Sequence, residues 1–253
     1  MPLSIAIITY NEADRISHCL KSALFADEII IVDSFSRDNT VEIAQSFGCK
    51  VITQKWLGFS RQKQFAVDKC RHDWVFILDA DERIPKETAD KIKKITDSSE
   101  KRFSAYNFCR KNYLHKRWIK YCGWWPNRVT RLVNKKQGKF DGRPVHEKWI
   151  CSGSVKKLDL FIEHHSFRNY EDMINKMQAY STLGAREMNQ QEKNIRWWSP
   201  ISHGLWMFFR TYILETGFME GFDGFVISLL NAQGSFMKYA KAREMQIYGS
   251  FIL

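Results

Sequence analysis

Three carboxylates within four residues, Asp79, Asp81 and Glu82, follow directly on the apolar run Trp74-Val75-Phe76-Ile77-Leu78. Such a cluster repels itself unless a cation or basic groups hold it together. Asp79 and Asp81 stand two apart, so on an extended chain both would lie on one side and could hold a hard divalent ion, Mg2+ or Mn2+. Such an ion takes oxygen ligands and keeps waters and substrate phosphates in its remaining positions. The chemistry this pattern suggests is metal-assisted handling of phosphate. The competing reading is a solvated acidic turn leading into the next helix, with Pro85 in its first turn.

The elements that must position these groups are legible upstream. Trp74 to Leu78 is too short for a useful helix and too uniformly apolar for a half-exposed strand, so it reads as a strand covered on both faces. Leu3 to Thr9 and Glu28 to Val32 read the same way, and the second ends, like the run at Trp74, in an aspartate, Asp33. Helices are expected from Glu12 to about Ala23, capped by Asn11, and from Asp38 or Thr40 to Phe47, where Gly48 stops the chain. A short strand at Lys50–Thr53 and a helix from about Ser60 to Cys70 complete three alternations of strand and helix, the spacing of a parallel, doubly wound sheet. In such sheets ligands sit outside the carboxyl ends of the strands, an edge that would gather Thr9, Tyr10, Asn11, Asp33, Asp79, Ala80 and Asp81.

The chain has 253 residues, with 39 Lys and Arg against 28 Asp and Glu, a net charge of +11. Some part of the surface should attract anions, whether nucleic acid, anionic lipid or a phosphorylated substrate. Six scattered cysteines without a Cys-x-x-Cys argue against a zinc site and fit reduced cytosolic thiols better than a disulfide framework. No signal peptide is visible, and no run of about eighteen apolar residues predicts a transmembrane helix. Neither a Gly-x-Gly-x-x-Gly after the first strand nor a P-loop occurs, so a bound phosphate needs neutralising by other means, and a metal on Asp81 supplies one.

Three segments in order, Ile7-Ile8-Thr9-Tyr10-Asn11-Glu12, Ile31-Val32-Asp33-Ser34-Phe35-Ser36-Arg37-Asp38-Asn39-Thr40 and Leu78-Asp79-Ala80-Asp81-Glu82, together resemble the N-terminal half of the family 2 glycosyltransferases. The resemblance implies the GT-A fold, a Rossmann-like α/β fold with a mostly parallel sheet and helices on both faces. It also implies an inverting, metal-dependent transfer from a nucleotide sugar, a UDP-sugar by preference. On that reading Thr9, Tyr10, Asn11, Glu12 and Ala80 line the donor, Asp33 contacts its nucleobase, Asp79 lies near ribose and diphosphate, and Asp81 is the metal ligand. Asp33-Ser34-Phe35-Ser36 departs from the family's usual Asp-Asp-Gly-Ser. Lys63, in Gln62-Lys63-Gln64, matches a basic stretch near the donor, its alternative being a solvated helix face.

Residues 103 to 150 interleave rings with cations, among them Tyr106, Arg110, Trp118, Trp124, Trp125, Arg128 and Arg131. They could stack sugars or bases, or form a packed sheet with Arg stems over the rings. Within Gly142-Arg143-Pro144-Val145-His146-Glu147, Glu147 is the candidate base, because attack of a sugar hydroxyl on an anomeric carbon needs a carboxylate to remove the proton. The Val-His-Glu element is similar to one in bacterial lipopolysaccharide core glucosyltransferase-like members of the family. His164, in the His164-His165-Ser166 that closes a strand from Leu158, resembles a family histidine near the metal and diphosphate.

The expected organisation is a donor half over 1–100, an acceptor half over 101–166 and a helical extension over 167–253. That extension holds a long helix from Phe167 to about Glu192 and then a dense aromatic end, too polar to span a bilayer. It could pack under the catalytic part or lie on an anionic membrane surface. Gly221-Phe222-Asp223-Gly224 is read only as a turn. The expected partners are a nucleotide-sugar donor and a glycolipid or saccharide acceptor, in lipopolysaccharide biosynthesis, with no nucleic acid. The expected place is cytoplasmic, peripheral on the inner face of the cytoplasmic membrane. The alternative is a basic module that binds nucleic acid or phosphate without catalysis, which a steep salt dependence would mark.

Overall fold

The computed structural model of the chain describes residues 1–98, 103–143 and 147–249. Pro144, Val145 and His146, part of the segment singled out around Glu147, lie outside the described residues. The chain divides into two compact units, 1–111 with 127–165 and 112–126 with 166–253.

In chain order the first elements are β1 (Leu3–Thr9), α1 (Ile16–Ala23), β2 (Glu28–Asp33), α2 (Thr40–Ser46), β3 (Lys50–Thr53), α3 (Phe59–Lys69), β4 (Trp74–Asp79), β5 (Glu82–Arg83) and α4 (Lys86–Asp97). After them come β6 (Ala105–Leu114), β7 (Arg117–Trp118), β8 (Asn127–Asn134), β9 (Gly138–Phe140), β10 (Trp149–Cys151) and β11 (Val155–Phe167). The main sheet runs β3-β2-β1-β4-β8-β6-β11-β5, with β7 on β6, and β9 pairs with β10 apart from it. Its four strands from the first eighty residues are parallel, whereas β8 is antiparallel to β4 and to β6, and β11 is antiparallel to β5.

The apolar runs are explained by cover on both faces. Ile5, Ile7, Phe76 and Leu78 pack with Ile16 and Leu20 of α1, Ala44 of α2 and Ile92 of α4. Ala6, Ile30, Val32, Val75 and Ile77 pack with Ala66 and Val67 of α3. A one-residue slip of β1 would exchange these two sets, and burial of each large aliphatic side chain is worth roughly 1.5–3 kcal/mol, so the register is strongly held. That register places Thr9 beside Asp33 and Ile8 beside Asp79, which aligns the carboxyl ends of β1, β2 and β4.

One expected helix start is displaced. Helix α1 begins at Ile16 rather than Glu12, because Asn11 is turned away from capping. Asn11 adopts a left-handed φ of 53°. Its amide donates to Ser36 Oγ at 2.8 Å and its Oδ1 accepts from the Arg37 amide at 2.8 Å. The side chain thus holds the β2–α2 loop, a use that the local sequence signal for a cap does not distinguish. Helix α2 starts after Asn39, which makes no side-chain cap bond; Asp38, one residue earlier, accepts from the Thr40 amide at 3.1 Å on Oδ1 and from the Ala13 amide at 3.1 Å on Oδ2.

The second unit is helical, with α5 (Tyr170–Gln190), α6 (Ser199–Phe209), a π turn at Arg210–Leu214, a 3-10 turn at Gly217–Glu220 and α7 (Gly221–Tyr248). Asn169 caps α5, its side chain accepting from the Asp172 amide at 2.8 Å. Leu114, Ile119, Cys122, Met173, Ile227 and Leu230 form one core, and Ala185, Met188, Ile195 and Ala242 another. The Gly221–Gly224 segment is the first turn of α7 rather than a free-standing turn. A Cβ on Gly224 would lie 1.9 Å from the Gly217 carbonyl oxygen, so only glycine lets the 3-10 turn sit against the helix. Among the described residues no helix is long and apolar enough to cross a membrane.

Candidate active site

At the carboxyl end of β2, Asp33 is buried and accepts three hydrogen bonds: Thr9 Oγ1 donates to Oδ1 at 3.0 Å, Ser36 Oγ to Oδ1 at 2.5 Å and the Ser36 amide to Oδ2 at 2.8 Å. A carboxylate holds about four acceptor positions, so one remains, on Oδ2, for a ligand donor. Thr9, Asn11 and Asp33 are thereby brought together through Ser36. Tyr10 stands 53% exposed at the same strand end. Glu12 is tied instead to Arg15, whose guanidinium lies 2.7 Å from Glu12 Oε2 and donates to the His165 carbonyl at 3.2 Å.

The aspartates after β4 do not act as one pair. The strand ends at Asp79 and the chain turns through Ala80 and Asp81, so the two carboxylates do not share one side of an extended chain, and each acquires its own partners. Asp79 Oδ1 lies 2.9 Å from Lys63 Nζ and its Oδ2 2.5 Å from Arg131 Nη2. Arg131 also reaches Glu82 Oε1 at 2.5 Å, and Arg110 stands 3.6 Å from the same oxygen. Lys63 Nζ extends the chain of charges in the other direction, donating to Glu147 Oε1 at 2.7 Å.

Glu147, Lys63, Asp79, Arg131, Glu82 and Arg110 therefore form one line of alternating sign with three carboxylates and three cations. Lys63 is only 6% exposed, which overturns the solvated helix face as a reading of Gln62-Lys63-Gln64. Burial opposes its charge, but Asp79, and behind it Glu147, outweigh burial and the nearby Arg131, so its pKa is raised and the ammonium is kept. Burial likewise disfavours the Asp79 carboxylate, yet Arg131 and then Lys63 hold its pKa well below the usual carboxylate range.

Asp81 faces His164, with Nε2 3.5 Å from Oδ1. Burial pushes the Asp81 carboxyl up, and His164, with a smaller contribution from Arg15, more than offsets it and holds the group at about 2. Strand β11 runs from Val155, earlier than the expected Leu158, through His164 and His165 to Phe167, and pairs His164 with Glu82 across β5. That pairing sets the histidine against the Asp81 turn. A separation of 3.5 Å between Oδ1 and Nε2 is one that two ligands each about 2.1 Å from a single ion can span. Among the described residues no group of three or more His, Cys, Asp or Glu could hold a metal. The fit is to an ion with two protein ligands that draws its others from water and phosphate, as Mg2+ commonly does.

Arg15, Ser36 and the role of Arg131 escaped sequence reasoning. Arg131 belongs to the rings and cations expected either to stack sugars or bases or to form a packed sheet with Arg stems over the rings, but it is buried against Asp79 and Glu82. The usable signal was a single cation inside the strand run Val129-Thr130-Arg131-Leu132-Val133, which in a covered strand needs a buried carboxylate as partner. Ser36 carried no signal beyond its distance of three from Asp33.

Comparison with known proteins follows from residues 4–155, which match the model of a family described as glycosyl transferase family 2. An uncharacterized glycosyltransferase of Rickettsia felis is 35% identical over 96% of this chain and 89% of its own length. The lipopolysaccharide core biosynthesis glycosyltransferase LpsC of Rhizobium meliloti is 30% identical over 96% of this chain and 95% of its own. Among solved structures, glucosyl-3-phosphoglycerate synthase from Mycobacterium tuberculosis, in complex with Mn2+, UDP and glucosyl-3-phosphoglycerate, has a TM-score of 0.46 at 13% identity, covering 73% of this chain and 79% of that one.

Proposed function

The chain belongs to glycosyl transferase family 2, and on that premise we propose that it moves a sugar from a UDP-sugar to a hydroxyl of a glycolipid acceptor of the lipopolysaccharide core type, with inversion. Membership makes it a glycosyltransferase, and the non-catalytic basic module gives way to that. The acceptor is suggested by LpsC, whose likeness runs over nearly the full length of both chains. The same proposal puts the reaction on the cytoplasmic side, where nucleotide sugars are the donors.

The observation that carries the mechanism is the buried lysine shared by Asp79 and Glu147. In a single displacement the acceptor oxygen bonds to the anomeric carbon, the bond from that carbon to the diphosphate breaks, and the electron pair leaves with the nucleotide. The hydroxyl proton must go to a base on the acceptor side, and Glu147, whose Oε1 accepts from Lys63 Nζ at 2.7 Å, is the carboxylate assigned to it. Asp33, with an acceptor position left on Oδ2, binds a base N–H, and Asp79 accepts from the ribose hydroxyls. Because Lys63 and Arg131 are already matched by carboxylates, they leave little positive charge for an incoming diphosphate. Asp81 and His164 would hold the divalent ion, Mg2+ or Mn2+, whose chemistry when bound is to neutralise the charge on the leaving nucleotide.

Thermal unfolding with UDP and Mn2+ tests the donor site, since saturation at about 100 times Kd stabilises by roughly 2.7 kcal/mol. The expected result is a raised melting temperature that Asp81→Ala abolishes. In the same series Glu147→Gln keeps the shift while transfer falls by roughly 10²–10⁴-fold. Absence of any shift across UDP, GDP and ADP would remove the donor site, and full transfer by Glu147→Gln would move the base elsewhere.

A further inference from the structure

We propose that the second unit docks on an anionic lipid bilayer through the face formed by α6, the π turn and the start of α7, with α6 lying in the plane of the interface. Helix α6 has no charged residue from Ser199 to Phe209, and of its eleven residues only Pro200 and Gly204 are buried. An uncharged helix whose large apolar side chains stand mostly exposed belongs in a protein core or in lipid, and the described residues of its own unit leave that side of α6 uncovered. Leu205, Trp206, Phe209, Ile213, Leu214 and Phe222 all stand exposed, Leu205 by 69% and Phe222 by 72%. Single exposed hydrophobics are ordinary; a contiguous run of this size marks an interaction surface.

Lipid fits this face for three reasons. Eleven residues of helix are about 16 Å long, about half the thickness of a hydrocarbon core, so α6 can enter the headgroup boundary but cannot span it. The carboxylates nearest the face are each held by an arginine of the unit: Glu215 by Arg210 at 2.9 Å, and Glu220 and Asp223 both by Arg117, at 2.8 and 2.6 Å. No unpaired acid among them opposes lipid phosphate, and Arg196 precedes the uncharged helix with its guanidinium over the Trp198 ring. Tryptophans with flanking arginines are the side chains that settle at a headgroup interface. The choice of lipid over a protein partner rests on the proposed glycolipid acceptor, which would be presented from such a surface.

The test is flotation of the full chain with vesicles of phosphatidylglycerol and phosphatidylethanolamine, against phosphatidylcholine alone, with the UDP–Mn2+ melting shift measured on the same samples. Binding to the anionic vesicles is expected, weaker in high salt and at least tenfold weaker on phosphatidylcholine. Trp206→Ser with Phe222→Ser should cut binding at least tenfold while leaving the melting temperature and the UDP shift unchanged, because both side chains are outside the core. A chain that stays with the soluble fraction overturns the proposal, as does one that dimerises and is returned to monomer by the double variant without ever floating. Flotation without a UDP shift would leave the docking face standing and remove the donor site instead.

Discussion

In the first unit one lysine touches two carboxylates, and in the second one arginine does, but only in the first is the shared cation sheltered from water. Lys63 lies between Asp79 and Glu147 with its side chain 8% exposed. Arg117 lies between Glu220 and Asp223 with its side chain 46% exposed. Around Lys63 the alternation of sign continues inward through Arg131 to Glu82, whose side chain is fully buried. Around Arg117 it ends at a tyrosine and a set of backbone amides, Lys120 and Tyr121 donating to Glu220 Oε1 at 2.6 and 3.1 Å. The first arrangement is one in which each ion's partner is another ion, so its cations are already matched before an anionic ligand arrives. The second is a clamp that fixes the 112–126 segment to the start of α7 and hides its acids, while the aromatic side chains of the same unit face outward.

Removing one cation from each junction is the largest test of that contrast. Arg131→Met strands Asp79 and Glu82 without their shared partner, and breaking a buried pair in this way costs roughly 3–5 kcal/mol. Arg117→Met removes a pair with much more solvent, for which about 1 kcal/mol is expected. Denaturant unfolding of the two variants should therefore differ severalfold in the loss. Equal losses would mean that the first junction is no more sheltered than the second.

An intermediate effect is expected where the second junction is itself buried. Glu220→Gln replaces an oxygen that accepts from two amides or one that accepts from Arg117 with an amide group that donates. One of these donors is left unmatched, at roughly 2 kcal/mol. The variant should also open the 112–126 segment to protease while the UDP–Mn2+ shift persists. A lost shift with intact 112–126 would show that the clamp acts on the donor site and not on its own segment.

What the sequence disclosed of these two junctions follows from the range of the forces involved. The parallel strands were legible because each is a short apolar run, and the ends of β2 and β4 because both finish in aspartate. Asp79, Asp81 and Lys63 were found, but their pairing was not: a turn at Ala80 separates two carboxylates that an extended chain would have aligned. Arg131 comes from a strand about fifty residues away, and nothing local at Asp79 points to it. In the second unit helix α5 shows in periodicity, whereas α7 lies in what reads only as a dense aromatic end, and its Gly221–Gly224 start looked like a turn because two glycines signal one. Gly221 is explained by its left-handed φ of 63°, Gly224 by the close approach of the Gly217 carbonyl and Asp223 by Arg117, the last two being contacts made after the chain has folded back on itself.

The smallest expected effect distinguishes a neutral partner from an ionic one. Tyr170 Oη donates to Asp223 Oδ1 at 2.5 Å, and burial, then this bond, pushes the phenol up to about 12. A phenol whose folded-state pKa exceeds its unfolded value of about 10 stabilises the fold fully below pH 10, and that contribution is lost as pH rises from about 10 to about 12. Tyr170→Phe should therefore cost about 1 kcal/mol near pH 8, with the gap from the unmodified chain closing across that alkaline window. The absorbance titration of the unmodified chain minus that of the variant should have its midpoint near 12. A midpoint near 10 would mean that Asp223 is held by Arg117 alone, and the clamp would then be purely ionic, like the junction at Lys63.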